Sequence, residues 1–219
     1  KIYGYQWRNQ NGVDQLSDLI KGLQTNPFSR YHILNAWNKA DFSQMALPPC
    51  HLLYQFIVRP LTKKEKLNWL NTNNLMYEQT PWTMEIFNKN HSDVEISEMY
   101  GMPRFYLDLN MYQRSCDVFL GVPFNLASMA TFLMIMAQVA GMIPGVARWI
   151  GGDVHLYMPH ICAAEEQIKR ETYELPKLQI NKNLKTIDDI VSLTISDFNL
   201  LGYHYHPKIK QELFTGYKK

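Results

Sequence analysis

Residues 126–143 read LASMATFLMIMAQVAGMI, an apolar run that dominates the chain. Such a run nearly reaches the length that spans a bilayer. Ser128, Gln138 and Gly141 interrupt it, Pro144 stops it, and no Lys/Arg cluster flanks it. A helix buried on all sides in a protein core is the more economical reading, with no membrane contact. The rest of the chain can supply that core, because 219 residues with 46% hydrophobic and 19% charged side chains are globular in composition and not disordered. The length predicts one or two domains at about 150 residues each. Lys and Arg number 22 against 20 Asp and Glu, a net charge of +2. That balance rules out a strong nucleic-acid polycation and leaves room for local basic pockets. Cys50, Cys116 and Cys162 form no disulfide framework and no zinc spacing, so a reducing, cytoplasmic compartment and no metal are expected.

Residues 13–24 place Val13, Leu16, Leu19, Ile20 and Leu23 at helical spacing, and Asn26-Pro27 ends that helix. Residues 32–37 (HILNAW) read as a strand. HLLYQFIV, residues 51–58, follows a Pro48-Pro49 turn and reads as a strand buried on both faces. Residues 59–103 are rich in Asn, Lys and Glu, with thinly spread apolar positions. They read as a surface insertion containing a short helix near 62–70, where Thr62 and Glu65 stand in a capping-box relation. Residues 104–111 alternate like a strand again. Gly151-Gly152-Asp153 reads as a turn, residues 155–157 as the start of another element, and 160–170 as a helix. Residues 178–180 read as a strand, 186–191 as a helix start with Asp188 and Asp189 in its first turn, and 195–205 as a strand. Strands and helices mix without strict alternation and without a dinucleotide fingerprint. The fold class expected is α+β or mixed α/β.

Cys50 follows two prolines and precedes His51 at the mouth of a buried strand. It is a nucleophile candidate or an ordinary buried cysteine. Thiolate chemistry needs a nearby cation, which Arg114 could supply. Arg114 with Ser115 could equally hold a phosphate by a charged fork plus a hydroxyl. Asn125 sits at a helix boundary, where Asn is commonly a cap. It also offers the donor and acceptor that read an amide-like ring edge. His155 and Tyr157 share one face of an extended segment. Taken singly, each of these residues reads first as structural.

Their combination resembles a known family. ALPPCH (residues 46–51), YQRSCDVFLGVPFN (112–125) and GGDVHLY (151–157) are similar to thymidylate synthases, and YGYQWR (3–8) and NAWN (35–38) fit as well. The resemblance runs to about Pro207 apart from 59–103. It implies a single catalytic domain, the C-terminal portion of the family's domain, with a large mixed sheet around a long central helix. It implies conversion of dUMP to dTMP with 5,10-methylenetetrahydrofolate as donor of one carbon and a hydride. Cys50 then matches the nucleophile, which adds to C6 of the pyrimidine and makes C5 reactive. Tyr3 and His51 match the proton-transfer network, and Asn125 the reader of the uracil edge. His155 and Tyr157 match the pair on the deoxyribose 3′-hydroxyl. Gln113, Arg114 and Ser115 match nucleotide and phosphate contacts. Asp117, Leu120, Gly121 and Phe124 match the folate side. A homodimer is implied, with Arg30 reaching the partner's phosphate site. Some relatives are fused behind dihydrofolate reductase, and some bind RNA, about which a charge of +2 is silent.

The sequence departs from the family pattern in four places. Tyr31 stands where a second arginine is usual, which removes one positive charge from the phosphate site. The resemblance begins past the family's N-terminal arginine and catalytic glutamate. The 59–103 stretch is unusual. The C-terminus, HPKIKQELFTGYKK, is longer and more basic than the hydrophobic closing segment of the family. Two alternatives follow: a pyrimidine-nucleotide hydroxymethylase on the same fold, or a non-catalytic nucleotide-binding remnant. Asn125 argues against cytosine as the hydroxymethylase substrate.

Overall fold

The computed structural model describes residues 1–73 and 93–213. Residues 74–92 and 214–219 lie outside the described residues. With them lie the middle of the expected insertion and the last part of the basic C-terminal run. Four strands form the main sheet, in the order β1 (Ile33–Asn35), β2 (His51–Pro60), β3 (Phe105–Asp117) and β4 (Ile143–His155). β2 is antiparallel to β1 and β3, whereas β4 is parallel to β3. Around the sheet run α1 (Gly4–Arg8), α2 (Gln15–Thr25), α3 (Lys63–Thr72), α4 (Asp93–Tyr100), α5 (Gly121–Val139), α6 (Ile161–Ile168) and α7 (Ile187–Val191). A separate antiparallel pair joins β5 (Lys177–Ile180) and β6 (Phe198–Leu201). This is the expected mixture of helix and sheet.

Helix α5 makes the crossover between parallel strands β3 and β4, which a parallel pair requires. It is the apolar run, shifted toward the N-terminus. The shift begins at Asp117, whose Oδ1 accepts from the amides of Phe119 and Leu120 at 3.1 and 3.3 Å, satisfying free N–H groups at the helix start. The helix ends where Gly141 adopts φ +67°, the left-handed geometry that glycine supplies at a helix C-terminus. The expectation of burial on all sides is corrected. Met129, Leu133, Ile135, Met136, Ala137 and Val139 are buried, but Phe124 is 75% exposed and Leu126 also faces outward. Phe132 anchors α5 to α1 and the sheet, stacking on Trp7 at 5.1 Å and meeting Tyr54 and Phe56 edge-on at 5.7 Å each. By length and composition α5 could cross a membrane, but this packing is that of a core helix.

Helix α2 lays Leu16, Leu19, Ile20 and Leu23 on the same core, with Asp14 accepting from the Ser17 amide at its start. Thr62 and Glu65 form the expected capping box on α3. The expected insertion is not all surface: Leu61, Leu70 and Met102 bury a small core of their own beside the sheet.

Five strand expectations change. β2 runs on to Pro60 and is covered on one face only: Tyr54, Phe56 and Val58 are buried while Ile57 is open. β3 continues past residue 111 to Asp117, so Gln113, Arg114 and Ser115 lie on a strand. Gly151-Gly152-Asp153 is not a turn but the middle of β4, paired opposite Gln113 through Ser115. A Cβ on Gly151 would lie 2.6 Å from the Trp149 ring, so glycine here makes room within a strand. β1 and β6 are each shorter than expected, at Ile33–Asn35 and Phe198–Leu201.

Candidate active site

Pairing brings the site residues to one end of the sheet, where β2 begins and β3 and β4 finish. β2 begins at His51, opposite Gln113 near the end of β3, and the parallel register sets Asp117 beside His155 at the end of β4. Cys50 stands just before β2, half-buried. Its amide donates to Tyr3 Oη at 3.0 Å, and its carbonyl accepts from the Arg114 amide at 2.8 Å. The Arg114 guanidinium donates to the carbonyls of Pro49 (2.9 Å, from Nε) and Pro48 (2.8 Å, from Nη2). Those bonds hold Nη2 at 3.9 Å from Cys50 Sγ. The two prolines thus offer carbonyls that aim the cation at the thiol. A fixed cation therefore stands beside the thiol.

The other cysteines are placed differently. Cys116 is fully buried and donates to the Gln113 carbonyl, and burial pushes its thiol up. Cys162 is exposed on α6. All three are free thiols.

Tyr3 reaches the Cys50 amide from a backbone at φ +37°, outside the region a tyrosine ordinarily occupies. Burial raises its phenol above the ordinary value, partly opposed by the hydrogen bond from the Cys50 amide. Its ring lies 5.1 Å from the His51 ring. Burial pushes the His51 imidazole below its ordinary value, partly opposed by a hydrogen bond with Asn125. Tyr54 Oη lies 3.2 Å from His51 Nδ1, and burial raises the Tyr54 phenol well above its usual range. Gln113 is 2% exposed; its Nε2 donates to Asn125 Oδ1 and to the Ser115 carbonyl, each at 2.9 Å. Trp149 Nε1 donates to Gln113 Oε1 at 2.9 Å.

Beside this cluster, Asp117 uses Oδ1 on the start of α5, and its Oδ2 makes no hydrogen bond or ion pair among the described residues. A Cβ on Gly121 would approach Asp117 Cβ at 3.5 Å and Asn125 Oδ1 at 3.6 Å, so that glycine sits between the two. Leu120 and Phe124 line a cleft of about 650 Å³, whose other wall is formed by residues 170–176 and 203–209. His155 and Tyr157 meet edge-on at 4.9 Å, and the Val118 amide donates to the His155 carbonyl at 3.0 Å.

Of the sequence candidates, the fold brings together Cys50, Tyr3, His51, Gln113, Arg114 and Asn125. It sets Ser115, Asp117, Gly121, His155 and Tyr157 alongside. Arg30 is apart: it is exposed between α2 and β1, with no hydrogen bond or ion pair among the described residues, next to Tyr31 at 90% exposure. Sequence reasoning missed Trp149 and Tyr54. Tyr54 lies in a stretch read as a buried strand and Trp149 in one given no assignment, and only the strand pairing shows that each places a polar atom against a site residue.

The arrangement sets a thiol, a fixed guanidinium and two side-chain amides side by side. Residues 1–79 and 81–215 match the thymidylate synthase family, and the chain belongs to that family. The match passes through 59–103, skipping only residue 80. The chain is 37% identical over 225 residues to thymidylate synthase of Saccharomyces cerevisiae, an alignment covering 97% of this chain and 62% of the yeast protein. A crystal structure of thymidylate synthase from T4 phage superimposes with a TM-score of 0.71 and 36% identity, covering 97% of this chain and 62% of that one. The chain thus spans less than two thirds of these relatives' length.

Proposed function

We propose that this chain carries the nucleophile and the nucleotide-reading residues of a thymidylate synthase that converts dUMP to dTMP. The observation that carries the reading is the Arg114 guanidinium, tied to the carbonyls of Pro48 and Pro49 and held 3.9 Å from Cys50 Sγ. A neutral uracil is a poor nucleophile at C5. Addition of the Cys50 thiolate to C6 breaks the C5–C6 double bond and puts electron density on C5. Arg114 stands beside the sulfur and, with Ser115, suits a phosphate oxygen. Asn125 offers an amide to the base edge, and His155 with Tyr157 offers ring nitrogen and hydroxyl to the sugar. His51 and Tyr3, within one ring contact of each other, hold protons beside the base.

The residues present fit a folate. The cleft of about 650 Å³ beside α5 has aromatic and apolar walls at Phe119, Leu120 and Phe124. Asp117, whose Oδ1 binds the amides of Phe119 and Leu120, has one carboxylate oxygen in reserve. 5,10-Methylenetetrahydrofolate, when bound, supplies the one-carbon unit and the hydride.

A homodimer is supported by the outer face of the sheet. There Ile33, Ile57, Tyr112, Val146, Ile150 and Val154 are each between 38 and 51% exposed, apolar side chains of the kind a second copy covers. Arg30 is the residue proposed to reach the partner's phosphate site.

Cys50→Ser tests the reading in the intact polypeptide. Turnover should fall by at least about a thousandfold while dUMP binding persists, since a serine hydroxyl is a far weaker nucleophile than a thiolate. Unchanged turnover overturns it.

A further inference from the structure

Trp149 lies on β4, 36 residues from Gln113, and its indole is neither at the thiol nor on the cleft. Its N–H nevertheless ends a chain of hydrogen bonds that leads to the base-reading amide. An indole nitrogen can only donate. The atom of Gln113 facing it at 2.9 Å is therefore the carbonyl oxygen, Oε1. That choice sends both Nε2 protons the other way, one to the Ser115 carbonyl and one to Asn125 Oδ1. A turned Gln113 amide would set NH₂ against the indole N–H and oxygen against two oxygens. At 2% exposure, no solvent would relieve those contacts. Gln113 thus has one orientation, and so does Asn125, whose oxygen must meet the Gln113 donor.

The orientation matters because uracil and cytosine differ by the same exchange. Uracil presents a donor at N3 and an acceptor at C4, cytosine an acceptor at N3 and a donor at C4. A side-chain amide that matches one edge matches the other when turned over. Gly151 is part of the device, since a Cβ there would lie 2.6 Å from the Trp149 ring.

We propose that Trp149 is a positioning residue that sets the choice of pyrimidine, acting through Gln113 on the orientation of Asn125. The inference rests on the reading of this pocket as a dUMP site. It assigns to a sheet residue a specificity that the base contacts alone do not explain.

The test is the ratio of dUMP to dCMP dissociation constants, measured by titration calorimetry on the intact protein. Replacing the Trp149 indole by its benzothiophene isostere keeps the ring shape and removes only the N–H. The preference for dUMP should narrow roughly tenfold, the worth of one misdirected buried hydrogen bond, with thermal stability little changed. The isostere avoids the core cavity of Trp149→Phe. A folded isostere with the wild-type ratio, or with both nucleotides weakened equally, overturns the proposal. Wild-type protein that binds neither nucleotide overturns the dUMP reading itself.

Discussion

Arg114 grips Cys50 from two sides. Its backbone amide donates to the Cys50 carbonyl at 2.8 Å, while its guanidinium, tied to Pro48 and Pro49, stands 3.9 Å from the sulfur. A lysine could supply the charge but not the fork that anchors it. Arg114→Lys should therefore lower kcat/KM for dUMP by roughly a hundredfold, the scale for losing one oriented donor at a reacting centre. Steady-state kinetics beside a melting curve would separate this from unfolding.

The Tyr3 hydroxyl is the acceptor for the Cys50 amide. Tyr3→Phe keeps the ring against His51 and removes the acceptor. An unsatisfied, partly buried N–H costs about 1–3 kcal/mol. The urea midpoint should fall accordingly at unchanged slope, and turnover should fall with it. Because burial raises the Tyr3 phenol, neither effect should titrate near neutral pH.

His51 gives stability a pH dependence. Its folded value is depressed by burial, whereas an unfolded imidazole titrates near 6.5, about the ordinary value. Above that pH its contribution is complete. As pH falls through the unfolded value toward the folded one, the unfolded chain takes up the proton first and stability is lost. Asp14, Asp189 and Asp197 also have lowered values. Their contributions are lost at lower pH, as it falls through the folded carboxylate values. Urea midpoints of wild type and His51→Gln, compared between about pH 7 and 5, should show the steeper fall in wild type. Parallel curves would contradict this account.

Gly145 is required by a buried charge. Asp108 is 3% exposed and accepts from the Val146 amide at 2.8 Å and from Arg148 at 3.2 Å. A Cβ on Gly145 would lie 2.0 Å from Asp108 Oδ1. Gly145→Ala should destabilise the protein by about 1–3 kcal/mol, the range for forcing extra volume into a filled site, read from chemical denaturation. A change under about 1 kcal/mol would mean that the strand shifts freely.

Local signals in the sequence were reliable where local physics decides the structure. The Thr62–Glu65 spacing gave its capping box, and the apolar spacing of α2 gave its buried face. The run from Tyr112 to Asn125 carried the family resemblance, because its residues follow one another without a break. Non-local facts were hidden. Gly151 and Gly152 read as a turn, and only pairing with β3 shows that they sit in a strand and clear space for an indole. Residues 126–143 are apolar nearly throughout, so their periodicity carries no information about which side of α5 is covered. β2 misled for the same reason: apolar composition says that a face is greasy, not what covers it. The Trp149–Gln113 bond depends on strand register, which no local pattern encodes.

The most direct test of the central claim uses the intact polypeptide with dUMP and 5,10-methylenetetrahydrofolate, and resolves the nucleotide product by mass. The account predicts dTMP with an equal amount of dihydrofolate. A hydroxymethyl product with tetrahydrofolate, or bound dUMP with no product, would contradict it.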